Sequence, residues 1–387
     1  MKRVKNNLKY SPSRRHMQLD ETRFGPILKL IFAFVGFVAF ALLMIYVIVP
    51  ALIGWFSGIP QSYPWNAASS SAAEPTAEPL HPILSNTVET ISFGDAWGAQ
   101  VVVDPSVYNN EVLFATGPDM NHCDRLMRLD PTTGESDSIE VPHSFDTLRY
   151  PREDANSILY IDGKTGGGGV IRMMDKKSGK AKALYELATG APRIFYETPY
   201  LTWIERMGED TSKLYVCDVA TGESLTVASF TNSPYMASAP SIKSGQVLYA
   251  DADPHNETHS LIRTMLLKNG SRWDYAAGMY VHDPKSVGDR WAWMTGDHGE
   301  NSDLYLSVQG GSPQLVARGI IDFFITPTCV VYNRSETVFA YVFMDNKTYV
   351  LSETSHNSQL VTAEGDYAIW RDMTDPAFPI WKYIRVV

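Results

Sequence analysis

The chain has 387 residues, is 44% hydrophobic and 20% charged, and carries a formal net charge of −10; this composition excludes a disordered chain and allows one large domain or two ordinary ones. The charge is unevenly spread, because residues 1–29 hold eight Lys/Arg against Asp20 and Glu21, which leaves the rest at −16. So acidic a body excludes nucleic-acid binding, which needs a basic surface to displace counterions from phosphates.

The first element is a membrane span. Leu30 to Phe56 is a run of 27 residues without one charged side chain. About 20 apolar residues cross the hydrocarbon core as a helix, and a helix satisfies its own backbone groups in lipid. The Lys/Arg excess before the run places the tail, residues 1–29, in the cytoplasm and everything after residue 56 outside it. Trp55 and Phe56 fall where an interfacial aromatic anchor belongs. The alternative is a cleaved signal peptide, whose apolar core is shorter, about 7–15 residues; small residues over 67–73 supply a cleavage context. Residues 57–85 then read as an extended linker, with five prolines between Ser57 and Pro82 and a Ser/Ala/Glu-rich middle.

From residue 86 to 387 the chain repeats. A short apolar strand carries an aromatic at a fixed place: Phe114, Tyr160, Trp203, Tyr249, Trp293, Tyr332 and Trp370, at intervals of 46, 43, 46, 44, 39 and 38 residues. The early blocks also share a turn, Asp130-Pro-Thr-Thr-Gly134-Glu135, Asp175-Lys-Lys-Ser-Gly179-Lys180 and Asp218-Val-Ala-Thr-Gly222-Glu223. Glycine supplies the positive φ of a hairpin, and Asp and Thr bond back to the turn. Later blocks keep a glycine alone, at Asn269-Gly270 and Gly310-Gly311. A period of this length with four short strands per unit predicts an all-β domain, a β-propeller of seven four-stranded blades with six as the alternative, preceded by one transmembrane α-helix. Residues 320–365 divide ambiguously. The last block is one strand short, and Val88–Phe93 is expected to complete it.

These strand-plus-aromatic segments, such as ILYID and YLTWIE, and the D-x-x-T-G-E turns resemble the TolB-like propellers and those of prolyl-oligopeptidase-type peptidases. The turn is also similar to part of the quinoprotein repeat, but Leu225 and Val227 follow Gly222 where that family places a Trp, so no quinone is implied. The peptidases carry an added α/β-hydrolase domain, and this chain contains no G-x-S-x-G nucleophile elbow.

The densest polar cluster is Asp251, Asp253, His255, Glu257 and His259; a similar set, Asp297, His298, Glu300 and Asp303, follows in the next block. Alternate residues of a strand share a face, and both segments fall between the second and third strands of their blocks. They are the candidate ligand- or partner-binding patch, against the plainer reading of solvated hairpin loops built by Pro254 and Asn256. Their spacing matches no defined zinc or calcium motif. The Gly166–Gly169 run lacks the Gly-Lys-Ser/Thr of a phosphate loop and reads as a hairpin. Of three cysteines, Cys217 and Cys329 sit in apolar strands, and Cys123 follows His122 in a loop, where an exposed thiol is conceivable. The expected function is therefore an anchored extracytoplasmic module that binds a protein, peptide or envelope polymer, without catalytic residues or cofactor. A cell-surface metal-dependent hydrolase or lyase is the alternative.

Overall fold

A computed structural model describes residues 77–78, 89–91 and 101–386, apart from 234, 236–237, 279, 297–301, 309–310, 354 and 377–378. Two short strands, β1 (Ala77–Glu78) and β2 (Glu89–Ile91), precede the body of the domain. The first sheet is β3 (Val101–Tyr108), β4 (Glu111–Gly117), β5 (Arg125–Leu129) and β6 (Ser136–Ile139). The second is β7 (Thr147–Glu153), β8 (Ser157–Gly163), β9 (Gly169–Asp175) and β10 (Ala181–Leu187). The third is β11 (Phe195–Glu197), β12 (Tyr200–Arg206), β13 (Thr211–Asp218) and β14 (Glu223–Thr231), and the fourth β15 (Ser241–Lys243), β16 (Gln246–Asp253), β17 (Asn256–Leu266) and β18 (Arg272–Gly278). Each is an antiparallel meander.

The next strands do not separate. β19 (Val281–Val287), β20 (Arg290–Thr295), β21 (Ser302–Val308), β22 (Gln314–Ile325), β23 (Cys329–Arg334), β24 (Thr337–Val342) and β25 (Lys347–Val350) form one eight-stranded sheet, with β1 added parallel to β25. The last sheet is β26 (Ser358–Glu364), β27 (Tyr367–Asp372) and β28 (Ile380–Arg385), completed by β2, whose Glu89, Thr90 and Ile91 pair with Tyr383, Lys382 and Trp381. Inner strands pack side by side, β3 on β7, β11 on β15, β15 on β19, β19 on β22, β22 on β26 and β26 back on β3, and the second and third sheets meet through Leu159 and Ile161 against Leu201 and Trp203. The ring is closed, and the strand drawn from Val88–Phe93 clasps it as expected.

Two expectations are corrected here. Neither seven nor six separate four-stranded blades is found: five sheets are four-stranded, and one continuous sheet has eight strands. The cause is β22, a single 12-residue strand whose first half pairs with β21 and whose second half pairs with β23. Elsewhere the outer strand leaves the ladder before the next inner strand begins, as at Pro142 between β6 and β7. Over Ala317–Asp322 there is no proline, and a bulge at Ile320/Asp322 with Gly319 at φ +66° turns the strand without breaking it. The helix expected over 30–56 lies outside the described residues, and among the described residues no helix is long and apolar enough to cross a membrane.

The recurring aromatics are buried as the repeat requires. Phe114, Tyr160, Trp203, Tyr249, Trp293, Tyr332 and Trp370 all lie on the second strand of their set and are at most 3% exposed. They fill the seams between neighbouring sheets: Trp203 and Tyr215 pack with Leu159 and Ile161 of the preceding sheet. The Asp/Gly turns join third to fourth strands, with the amides of Thr132, Ser178 and Ala220 donating to Asp130, Asp175 and Asp218. The Gly166–Gly169 run is a hairpin joining β8 to β9 with all four φ positive. Cys123 differs from its expectation: it is fully buried, and burial pushes its thiol up to about 11. The three cysteines are free and buried.

Candidate functional site: the axial channel

The channel is built by a local device that recurs in the inner strands. In β3, β7 and β19 the ladder slips by a bulge at Asp104-Pro105, Tyr150-Pro151 and Asp283-Pro284. The residue before each proline has positive φ, +52°, +47° and +51°, a conformation that Asp tolerates better than most side chains. The bulge sets the proline, which has no N–H, outside the regular ladder. The residue after the proline, Ser106, Arg152 or Lys285, then lines the axial cavity. Ala191-Pro192-Arg193 and Ala239-Pro240-Ser241 lie just before or at the start of their inner strands, without the bulge or the positive φ, and Arg193 and Ser241 also line the cavity.

The cavity at the mouth has a volume of about 210 Å³ and lies at the C-terminal ends of the inner strands. A second, of about 220 Å³, lies further along the same strands, and both are lined by Arg152 and Arg193. Lys285 is 7% exposed; its Nζ donates to the Phe323 carbonyl at 2.6 Å, lies 3.6 Å from Asp322 and sits 4.0 Å from the centre of the Phe323 ring. Burial lowers its pKa, against the pull of Asp322 and Asp283. The guanidinium of Arg193 lies over the rings of Phe195 and Phe324, with Asp322 at 3.9 Å. Arg152 is 8% exposed and donates to the Pro151 carbonyl at 2.9 Å, with Glu364 at 4.0 Å. Lys243, at the mouth, pairs with Glu197 at 2.9 Å.

The carboxylates here are already engaged. Asp104 accepts from Arg149 at 2.6 Å and from the Tyr150 amide at 3.1 Å. Glu364 holds the Val107 amide at 3.0 Å, across the seam between the last and first inner strands. Glu153 turns to Arg128 and Lys176. In a chain of net charge −10, the channel thus brings together Arg152, Arg193, Lys243 and Lys285, groups that can pair with an anion.

The expected acidic patch lies elsewhere. β16 runs antiparallel to β15, so its end at Asp253 is at the opposite end of the ring from the channel mouth. Asp251 is held by Arg263 at 2.7 Å, which also reaches Asp274 at 2.7 Å, beside a cleft of about 370 Å³ next to Val227–Ser229. Asp253 accepts the His255 amide at 2.8 Å in a tight turn, so the cluster is a hairpin rather than a long loop. His255 is exposed, Glu257 belongs to β17, and His259 on β17 is partly buried. Asp303 faces Arg318 at 3.6 Å, and burial raises its carboxyl despite that charge. Asp297, His298 and Glu300 lie outside the described residues. Among the described residues no group of three or more His, Cys, Asp or Glu is arranged to hold a metal.

One constellation looks catalytic and is not placed to act. His282 bonds Asp283 at 3.0 Å through Nδ1 and Ser302 at 3.2 Å through Nε2. Ser302 is fully buried and His282 is 2% exposed, so the trio ties β19 to β21 and offers no hydroxyl to a substrate. The channel residues were missed in the sequence, although a signal exists: Pro105, Pro151, Pro192, Pro240 and Pro284 recur at 46, 41, 48 and 44 residues, each followed by Ser, Arg or Lys.

No protein-family model matches the chain, and no curated protein matches it. Solved structures do. The β-propeller domain of the Trilobed protease from Pyrococcus furiosus aligns over 74% of this chain and 95% of its own, with TM-score 0.54 and 12% identity. The fold is a β-propeller. The acylaminoacyl peptidase of Pyrococcus horikoshii aligns over 72% of this chain at TM-score 0.53 and 14% identity, and the match spans 50% of that peptidase. An oligogalacturonate lyase from Vibrio parahaemolyticus aligns over 81% of this chain and 98% of its own at TM-score 0.51 and 11% identity, and an oligogalacturonate lyase has also been solved with manganese. At such identities the likeness extends to the propeller fold and no further.

Proposed function

We propose that the chain is an extracytoplasmic binding protein, tethered to the membrane by residues 30–56, whose propeller receives an acidic segment of a protein, peptide or envelope polymer at the channel mouth. The observation that carries this reading is the convergence of Arg152, Arg193, Lys243 and Lys285 on the axis of an otherwise acidic chain. The tether is supported by the uncharged 27-residue run and the basic tail before it. The opposite end of the ring, with Asp251, Asp253, His255, Glu257, His259 and Asp303, is proposed as a second contact surface; Asp297, His298 and Glu300, outside the described residues, are proposed from the sequence alone to contribute to it.

The test is equilibrium binding of a fluorescent oligoglutamate to the full-length chain in detergent micelles. Saturable binding that weakens with salt is expected, and Lys285→Met should weaken it about tenfold by removing one charge-assisted contact. The same variant should keep or raise the thermal midpoint, because burial disfavours the ammonium and its partner Asp322 keeps access to solvent, so that no buried charge is left unpaired. The buried ammonium has a lowered pKa, so its charge counts against folding at neutral pH. That penalty is relieved as pH rises from the folded value towards the ordinary 10.5; the two proteins should converge in midpoint at alkaline pH. Absence of saturable oligoglutamate binding would sink the reading. The metal-dependent hydrolase or lyase has its own check: manganese, calcium or zinc would raise the midpoint by mass action, and no shift with any of them removes it.

A further inference from the structure

We infer that Arg152, Arg193 and Arg371 form a receptor for a single oxyanion, a carboxylate or a phosphate, in the inner cavity of the channel. The inference deepens the binding reading above and rests on it for the identity of the channel as the binding site. The cavity has a volume of about 220 Å³, room for one charged group with a small body attached.

Three features of the lining point the same way. First, the guanidiniums are under-used. The Nε of Arg371 is buried without a hydrogen-bond partner; its Nη2 reaches Gln359 at 3.2 Å, and its plane lies 5.7 Å from the centre of the Trp381 ring. Arg193 has rings beneath it and one carboxylate at 3.9 Å. Arg152, itself more than nine-tenths buried, spends one donor on the Pro151 carbonyl. An arginine stays charged when buried, so these donors cannot be silenced by losing a proton. Second, the one carboxylate lining the cavity, Asp104, is saturated by Arg149 and the Tyr150 amide. It opposes the burial that lowers the Arg371 pKa, but does not reach that group with a hydrogen bond. Third, the fork of a guanidinium matches the paired oxygens of a carboxylate or phosphate, and Leu360 and Val361 give the bound group an apolar wall.

The three arginines come from separate elements. Arg152 is placed by the bulge in β7, Arg193 by the segment before β11, and Arg371 by β27 of the clasped sheet. The site therefore exists only in the closed ring. A ligand in it would bind the first sheets to the last.

The experiment is a titration of the full-length chain in micelles with malonate and, separately, inorganic phosphate, at constant ionic strength made up with chloride. Heat of binding and thermal midpoint are read together. Saturable binding of at least one anion with a rise in midpoint is expected; which of the two binds more tightly separates a carboxylate site from a phosphate site. Arg371→Met should abolish the binding, and Arg193→Gln should weaken it at least tenfold. Arg371→Met is compared with Arg371→Lys, which restores a charge without the fork and should recover part of the affinity. No saturable heat with either anion, or binding unchanged in both the Arg371→Met and Arg193→Gln variants, would overturn the inference. Oligoglutamate binding at the mouth is scored in parallel. Its loss with malonate or phosphate binding intact rejects the acidic-segment reading alone, and the converse rejects the inner oxyanion site alone.

Discussion

Trp203→Ala is expected to lose about 3–5 kcal/mol of stability, whereas Trp203→Phe should cost less than about 1.5 kcal/mol. Trp203 is fully buried, stacks on Tyr215 at 5.3 Å, meets Tyr185 edge-on at 4.9 Å, and packs with Leu159 and Ile161 of the preceding sheet. Its indole N–H finds no partner, so the ring's area holds the seam and its polar atom contributes nothing that Phe would forfeit. Denaturant unfolding followed by far-ultraviolet circular dichroism measures both variants. A loss for Phe as large as that for Ala would show that the indole nitrogen has a role that packing does not describe.

The second large effect belongs to Asp372. This carboxylate is 3% exposed at the end of β27, 2.9 Å from Lys382 on β28, 2.6 Å from Thr374 Oγ1 and hydrogen-bonded to His356. Burial alone would raise its pKa; the bonds from Lys382, Thr374 and His356 outweigh burial and hold it well below the usual carboxylate range. Asp372→Asn leaves Lys382 without its counter-charge, and a loss of about 3 kcal/mol is expected, the lower end for a broken buried pair because Lys382 keeps some access to solvent. The sign of the pH dependence follows from the lowered pKa. The contribution is complete above the unfolded value of 3.8 and disappears as pH falls through the folded value. Urea unfolding at pH 7 and pH 3 should show the wild type and variant far apart at the first and closer at the second. An equal gap at both would rule out the charge as the cause.

The parts of the fold that were legible are those set by one residue type at a fixed local position. The aromatic on each second strand could be counted, because every seam needs one large apolar side chain there, and the Asp/Gly turns could be read, because φ above zero demands glycine. The clasp was legible as a missing strand. The fused sheet was not. Whether β22 breaks or bends depends on which ladder each half joins, and Gly319 serves either outcome. The expected patch was drawn from residue types alone, and Asp251 illustrates the limit: its neighbour Arg263 comes from the adjacent strand, 12 residues away, and neutralises it. The proline series behind Ser106, Arg152, Arg193, Ser241 and Lys285 was present in plain sight. It is read only once the bulge is known to turn the following side chain to the axis. Arg371 carried no local signal, since the burial that leaves its Nε without a partner is a property of the folded chain alone.

The ring has two kinds of joint, one inside its eight-stranded sheet and one at its last sheet, and they differ in what a perturbation must break. On one stretch, β22 carries an unbroken backbone from one set of strands into the next. At the other, three residues of β2 along β28 and the Glu364 carboxylate on the Val107 amide hold the two ends of the propeller together. A pull or a thermal fluctuation therefore meets a continuous ladder on both edges of a long strand at one joint and a ladder of three residues at the other. The propeller is a bracelet with a seamless link and a catch, and Arg371, one strand in from the catch, is positioned to register whether it is fastened.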